Sequence, residues 1–202
     1  MTIRYPNGNA YRAPATSTGP KFASRYTNYG KRGMTLEEEL NQSNTYYQTH
    51  GLAVVHKKPT PIQIVKVDYP KRSAAVIKEA YFSTASTTDY NGVYQGHYLD
   101  FDAKETKNKA SFPLKNFHQH QIDHMRACLG QGGICFAIIK FVSRQEIFLY
   151  PASDLFTFWD NQANGGRKSI PYTDIAASGI KLIAQLQLPV PYLNAVDQLL
   201  KR

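Results

Sequence analysis

The residues of greatest chemical interest in this 202-residue chain lie between positions 89 and 104. Polar and apolar side chains alternate from 98 to 104, which predicts a β-strand with Asp100, Asp102 and Lys104 on one face. Another carboxylate, Asp89, precedes a glycine-containing segment that predicts a hairpin. Two carboxylates can hold a hard divalent cation that polarises a phosphate, and a lysine can stabilise the negative charge of the transition state. The pattern predicts metal-assisted phosphodiester cleavage with Asp89, Asp102 and Lys104 as catalytic groups.

The same spacing also fits an exposed polar strand. On such a strand, Asp–Lys pairs contribute little to stability. Short acid-x-Lys patterns occur often by chance, so the spacing alone does not distinguish the two interpretations. The surrounding elements must decide between them.

The composition favours a polyanionic partner. Lys and Arg number 24 against 15 Asp and Glu, which gives a formal net charge of +9. A basic surplus of this size is typical of nucleic-acid-binding proteins, although it does not select among them. The hydrophobic fraction of 42% is ordinary for a globular domain and excludes wholesale disorder.

The cysteine content and hydropathy predict a reduced, cytoplasmic location without a membrane span. The two cysteines, Cys128 and Cys135, are too few for a disulfide framework and lack metal-ligand spacing. No apolar run is long enough for a membrane helix, and no charged-then-apolar leader opens the chain.

Two domains of different character are expected. Residues 1–34 contain basic residues such as Arg32 interleaved with tyrosines but no acid, which predicts a flexible basic N-terminal arm. Such an arm suits phosphate contact and base stacking, and the alternative is a solubilising tail. Residues 35–202 form the predicted nuclease domain, a mixed α/β domain with helices on both sides of a mixed central sheet.

Within this domain, residues 57–82 form a predicted basic excursion from the core. Pro59 and Pro61 interrupt any central strand there. We expect a helix over 71–81 at the end of the excursion. The alternative is an ordinary strand-to-helix connection with a solvated face.

A second predicted helix, over 115–129, follows the strand that carries Asp102. Gln121 lies near its start, where its amide could reach back over the face of that strand. His120 and His124 have the spacing of a zinc pair, but the glutamate of a His-Glu-x-x-His motif is missing, so phosphate contact or burial is the better interpretation.

These motifs together resemble the PD-(D/E)xK nuclease superfamily and, within it, the RecU family of bacterial Holliday junction resolvases. The resemblance spans most of the chain and is carried by residues 7–8, 32–34, 53–61, 69–73, 79–82, 86–92, 100–107, 111–113, 117–121 and 133–136. It implies a restriction-endonuclease-like fold and a homodimer that cleaves four-way DNA junctions with Mg²⁺ in recombination and repair. It also implies that the 57–82 excursion is a stalk that enters the junction, and that the arm contacts the junction.

The resemblance also implies roles for individual residues. Thr87, Asp89, Asp102 and Gln121 would coordinate Mg²⁺, with Mn²⁺ as a substitute, and Lys104 would stabilise the transition state. The residues that would contact DNA are Arg32, Lys57, Lys58, Lys71, Arg72, Phe82, Lys107 and Lys109. A recombinase is the expected protein partner.

Two positions depart from the pattern of the family. Thr88 precedes Asp89 where the superfamily has proline, and Asp102 stands where RecU-like chains commonly have glutamate. Asp is one methylene shorter, about 1.5 Å of reach. The alternative functions are therefore a less selective DNase and a catalytically weak junction-binding protein that modulates a recombinase.

Overall fold

The computed structural model describes residues 34–68, 75–83 and 87–201. The arm predicted over 1–34, with Arg32, lies outside the described residues except for Met34. Lys71 and Arg72 also lie outside them.

The described residues form ten β-strands and five α-helices. The strands are Val54–Lys57 (β1), Ile62–Asp68 (β2), Val76–Phe82 (β3), Tyr90–Tyr94 (β4), His97–Thr106 (β5), Ser111–Pro113 (β6), Ile134–Phe141 (β7), Glu146–Pro151 (β8), Ser169–Pro171 (β9) and Ile180–Leu182 (β10). The α-helices are Leu36–Thr49 (α1), Gln119–Gly130 (α2), Ala152–Ala163 (α3), Tyr172–Ser178 (α4) and Tyr192–Leu199 (α5).

Six of these strands form a mixed central sheet in the order β1-β4-β5-β7-β8-β10. The β5–β7 pair is parallel, and the other neighbouring pairs are antiparallel. A parallel pair requires a crossover, which here contains α2 and lays that helix over β5 and β7. The predicted mixed sheet with helices on both sides is therefore confirmed.

The two faces of the sheet bury separate hydrophobic clusters. Leu99 and Phe101 of β5 pack with residues of α1 and α5 on one face. Ala137 and Ile139 of β7 pack with residues of α2, α3 and α4 on the other. Because neighbouring residues of a strand point to opposite faces, the even-numbered residues of β5 face the α2 side.

The first helix, α1, begins with a capping box, which the spacing of Thr35 and Glu38 in the sequence indicates. The Thr35 hydroxyl accepts from the Glu38 backbone N–H at 3.3 Å, and the Glu38 carboxylate accepts from the Thr35 N–H at 2.8 Å. The Leu36 N–H donates to Glu105 of β5 at 2.9 Å, which ties the start of α1 to the central sheet.

The predicted helix over 71–81 is wrong, because β3 occupies its described part. β2 and β3 form a separate antiparallel hairpin, and Val76 and Ile77 pair with Asp68 and Val67. The β-branched and aromatic residues of this segment favour a paired extended chain over a helix. The hairpin is exposed throughout its strands except at Val67, which is half-buried.

The structure confirms two other predictions, the proline break and the hairpin after Asp89, and corrects the predicted start of α2. The prolines separate β1 from β2 as predicted, but α2 starts at Gln119 rather than at 115. The start was wrong because Leu114–Asn116 forms a short 3-10 turn and His118 has extended backbone angles. The hairpin after Asp89 is confirmed as β4–β5, with positive φ angles at Gln95 and Gly96 in its tight turn.

In the part of the chain that the structure describes, the helices are too short or too polar to cross a membrane.

A close approach between β1 and β4 gives a testable prediction. A Cβ atom on Gly92 of β4 would lie 2.1 Å from the Val54 carbonyl oxygen of β1, so Gly92→Ala requires the strands to separate. We expect the free energy of unfolding to fall by about 1–3 kcal/mol, the usual cost of overpacking. Gly130→Ala is the control, because a Cβ there meets no atom within 4 Å. Denaturant unfolding measures both, and equal stability of the two variants would contradict the close approach.

Candidate active site

The polar face of β5 is buried beneath α2. Asp100 and Asp102 are both 0% exposed, so the alternative of a solvated strand face is wrong for these two carboxylates. The alternation of the strand places them on the α2 side while Leu99 and Phe101 fill the opposite cluster. Each buried carboxylate therefore needs compensation from neighbouring groups.

Asp89, Asp102 and Lys104 are brought together. The Asp89 backbone N–H donates to Asp102 Oδ1 at 3.0 Å. Lys104 Nζ donates to Asp89 Oδ2 at 3.2 Å and lies 3.6 Å from Asp102 Oδ1. The Asp89 side chain is 39% exposed, so the cluster opens to solvent on the side of Asp89.

Gln121 contacts this cluster, whereas Thr87 is adjacent to it along the chain. Gln121 Nε2 donates to Asp102 Oδ1 at 3.1 Å, while its Oε1 accepts from the His118 N–H at 3.0 Å. The amide is thereby oriented toward β5, as the sequence suggested. Thr87 is adjacent through the chain, two residues before Asp89, and its hydroxyl donates to the Thr88 carbonyl at 3.2 Å.

The Asp102 carboxylate is only partly compensated. Its Oδ1 atom accepts the contacts above, but its buried Oδ2 atom has no hydrogen-bond partner. Burial raises the pKa of Asp102 to about 7, the Lys104 ammonium opposes this shift, and the Asp89 carboxylate adds to it. A hard divalent cation would supply the missing compensation, and carboxylate oxygens are among the ligands that it prefers. The residues present therefore fit a divalent metal ion.

Asp100, two residues before Asp102 on the same strand, is fully compensated. Its Oδ2 atom lies 2.9 Å from Lys58 Nζ, 2.8 Å from the Tyr98 hydroxyl and 3.2 Å from His124 Nε2. Its Oδ1 atom accepts from the Thr88 hydroxyl. Sequence reasoning placed Asp100 on the polar face but missed this network, because Lys58 and His124 come from distant segments.

The histidines do not form the zinc pair that the sequence spacing allowed. His120 stacks on His118, whereas His124 contacts Asp100 and Cys128. Asp100, His124 and Cys128 bring ligand atoms within 4.8 Å of one another, but the ammonium beside Asp100 already neutralises that carboxylate.

The predicted DNA-contact residues fall into different surroundings. Lys57 is 42% exposed and lies 2.5 Å from a Glu37 oxygen. Phe82 is 85% exposed at the end of β3, and Lys107 and Lys109 are exposed beyond β5. The Lys58 side chain is only 18% exposed and points its ammonium at Asp100.

Comparison with known proteins places the chain in a family. The family model described as "RecU: Recombination protein U" matches residues 31–198. The chain belongs to the RecU family. The RecU match includes Asp89, Asp102, Lys104 and Gln121, so the site described above lies within the segment that defines the family.

The RecU relatives are similar over their whole length. A protein of Levilactobacillus brevis named Holliday junction resolvase RecU is 81% identical over 200 residues, covering 99% of this chain and 100% of that protein. A protein of the same name from Latilactobacillus sakei is 65% identical over 206 residues, covering 100% and 98%. The solved structure of Hjc, a Holliday junction resolvase of Archaeoglobus fulgidus, aligns with a TM-score of 0.43 and 11% identity over 72% of this chain and 94% of that chain.

The incomplete compensation of Asp102 predicts a gain in stability from its removal. Asp102→Asn abolishes the buried negative charge and keeps an Oδ1 acceptor for Asp89 and Gln121. We expect the unfolding midpoint of the metal-free protein to rise by about 2–4 °C, which corresponds to about 1 kcal/mol for a domain of this size.

Thermal unfolding in the presence of a chelator measures this effect. Asp123→Asn, an exposed position on the same helix as Gln121, is the matched control and should leave the midpoint unchanged. A lower midpoint for Asp102→Asn than for the parent protein would show that the Asp102 carboxylate is well compensated without metal.

Proposed function

We propose that this chain is a Mg²⁺-dependent endonuclease that resolves Holliday junctions in homologous recombination and DNA repair. The observation that carries the proposal is the cluster of Asp89, Asp102 and Lys104, in which a buried carboxylate oxygen lacks a partner. The name of the relatives, which match along their entire length, supports the choice of substrate.

In this proposal, Asp89 and Asp102 would hold the divalent ion with their carboxylates, and Thr87 would hold it through its carbonyl or a water. Gln121 would hold it through a water, because its Nε2 atom rather than its Oε1 atom faces Asp102. The ion, when bound, supplies a Lewis acid that polarises the scissile phosphate and promotes deprotonation of water. Gln121 keeps Asp102 oriented through its two hydrogen bonds, which fix the amide between α2 and β5. The shorter side chain of Asp102, where the family resemblance predicts glutamate, sets its carboxylate close to the strand.

Lys104 has the second chemical role. Its ammonium lies beside both carboxylates, and one of them, Asp89, has a 39% exposed side chain, so Lys104 can reach a phosphate that enters from that open side. There it stabilises the negative charge that develops on the phosphate oxygens as the strand is cut. Because Asp102 is fully buried and the Lys104 side chain is only 16% exposed, this charge interaction is stronger than it would be at an exposed position.

Recognition of the junction would rest on shape and phosphate contacts rather than on base sequence. The exposed β2–β3 hairpin with Phe82, and the lysines Lys107 and Lys109, are the described elements that would contact DNA. The 57–82 segment would act as the stalk that enters the junction.

A homodimer suits this substrate. A four-way junction is nearly two-fold symmetric, so a C₂ dimer would present one site to each of two opposed strands and produce symmetric nicks. A recombinase is the proposed protein partner, in the cytoplasm where the chromosome lies. The free thiols of Cys128 and Cys135 suit that reduced compartment.

The sharpest test of the assignment is Asp89→Asn. This variant removes a carboxylate that would hold the ion but keeps the backbone N–H that contacts Asp102. We expect junction cleavage in Mg²⁺ to be abolished while junction binding in Ca²⁺ survives. Parental cleavage by Asp89→Asn, with Asp123→Asn as the matched control, would refute the site.

Substrate choice is tested by comparing a four-way junction with linear duplexes of its arms. The proposal predicts cleavage of the junction, with symmetric nicks and a much lower rate on duplex DNA, in Mg²⁺ but not in a chelator. Equal rates on both substrates would favour a less selective DNase. Tight junction binding without any nicking would favour a catalytically weak junction-binding protein.

A further inference from the structure

We infer that Lys58 is a positioning residue for cleavage, because its contacts fix the segment that carries Thr87 and Asp89. The inference rests on the proposed function, since it concerns the geometry of the proposed metal ligands. It differs from the sequence-based expectation that Lys58 contacts DNA.

Lys58 holds this segment by main chain and side chain at once. Its backbone N–H donates to the Asp89 carbonyl oxygen at 2.8 Å. Its ammonium donates to the Thr88 hydroxyl at 3.0 Å and to Asp100 Oδ2 at 2.9 Å. Thr88 is 2% exposed and also donates to Asp100. Asp100 therefore anchors both Lys58 and Thr88 to the central sheet.

The main chain of Asp89 is also held by Asp102, on the side opposite to Lys58. Its N–H donates to Asp102 Oδ1, while its carbonyl oxygen accepts from Lys58. The direction in which the Asp89 carboxylate leaves the chain is therefore set by Asp102 and Lys58 together. Because a displacement of about 1 Å can reduce a rate about 100-fold, loss of one of these anchors should affect the chemical step.

The partners of Lys58 separate this role from a phosphate contact. Its ammonium donates to Asp100, which is 0% exposed, and to Thr88, which is 2% exposed. The ammonium of Lys104, by contrast, contacts Asp89, whose side chain is 39% exposed on the open side of the site.

Lys58 also lies at the base of the β2–β3 hairpin. Lys58 follows the last residue of β1 and precedes β2, and Thr87 follows β3 in the sequence. The Ser83 N–H donates to the Pro61 carbonyl oxygen at 3.0 Å and closes this base. The base of the proposed DNA-binding hairpin and the proposed metal-binding segment therefore share one buried lysine.

The test compares three substitutions with a matched control. Lys58→Met removes the ammonium, the double variant Lys58→Met/Asp100→Asn removes both buried charges, and Lys58→Arg keeps a cationic donor. Lys181→Met is the control, since it removes an ion-paired lysine from β10 at the opposite edge of the sheet. If Lys58→Met unfolds because it leaves the Asp100 carboxylate buried without its cation, the double variant still tests the inference. It replaces both partners with neutral side chains and so leaves no unpaired buried charge.

Three quantities are measured on the full-length protein: the single-turnover cleavage rate at saturating junction, the Kd for the junction in Ca²⁺, and the affinity for Mn²⁺ from the electron paramagnetic resonance signal of the free ion. Removal of the ammonium should slow cleavage about 100-fold and weaken Mn²⁺ binding, with the junction Kd preserved. Lys58→Arg should recover part of the rate, and Lys181→Met should match the parent protein.

Two results would overturn the inference. One is a folded variant without the ammonium that keeps the parental rate and Mn²⁺ affinity. The other is a weaker junction Kd with a parental rate at saturation, which would make Lys58 a phosphate contact. If Asp89→Asn abolishes cleavage while the Lys58 variants cut normally, only this inference fails. If Asp89→Asn also cuts normally, the proposed metal site fails as well, and if the parent protein does not cut junctions in Mg²⁺, the proposed function fails.

Discussion

The burial of two carboxylates on adjacent inward positions of β5 is the constraint on which the site depends. Asp100 and Asp102 share a sheet face beneath α2, and neither is exposed to solvent. Isolated charges in such a place are costly, so each must be compensated. Asp100 meets this need, because a lysine and three further polar groups contact its carboxylate. Asp102 meets it only in part, because its lysine is more distant and one of its oxygens has no partner.

This asymmetry separates a structural carboxylate from a chemical one. Both oxygens of Asp100 have hydrogen-bond partners, and Asp100 therefore anchors Lys58 and Thr88. Through these two residues it also anchors the main chain of Asp89. Because Asp102 is incompletely compensated, a bound cation would stabilise its carboxylate. The same incomplete compensation lowers the stability of the metal-free protein. Such a cost is common where a site is arranged for chemistry rather than for folding.

The sequence predicted the parts of the site that depend on local pattern. The period of two in β5 placed Asp100, Asp102 and Lys104 on one face, and the position of Gln121 early in α2 placed its amide over that face. The capping box at Thr35 was likewise readable, because both partners lie within one turn. These features need only short-range geometry, which residue spacing encodes directly.

The features that failed depend on strand pairing and on contacts that residue spacing does not show. The helix expected over 71–81 was overridden by pairing of β3 with β2, which stabilises the β-branched and aromatic residues of this segment as an extended chain. Asp100 contacts Lys58, directly after β1, and His124 of α2. These residues are far apart in the sequence, so their spacing does not predict the network. For the same reason, a buried positioning lysine and a surface phosphate contact look alike in the sequence.

The central claim is that Asp102, and not Asp100, is the carboxylate left open to a cation. A crystal structure of the protein soaked with Mn²⁺, with the ion located by its anomalous scattering, tests this most directly. The account predicts a peak bonded to Asp102 Oδ2 and to Asp89, with Lys58 still paired to Asp100. A peak bonded to Asp100, His124 and Cys128, with Lys58 displaced, would contradict it.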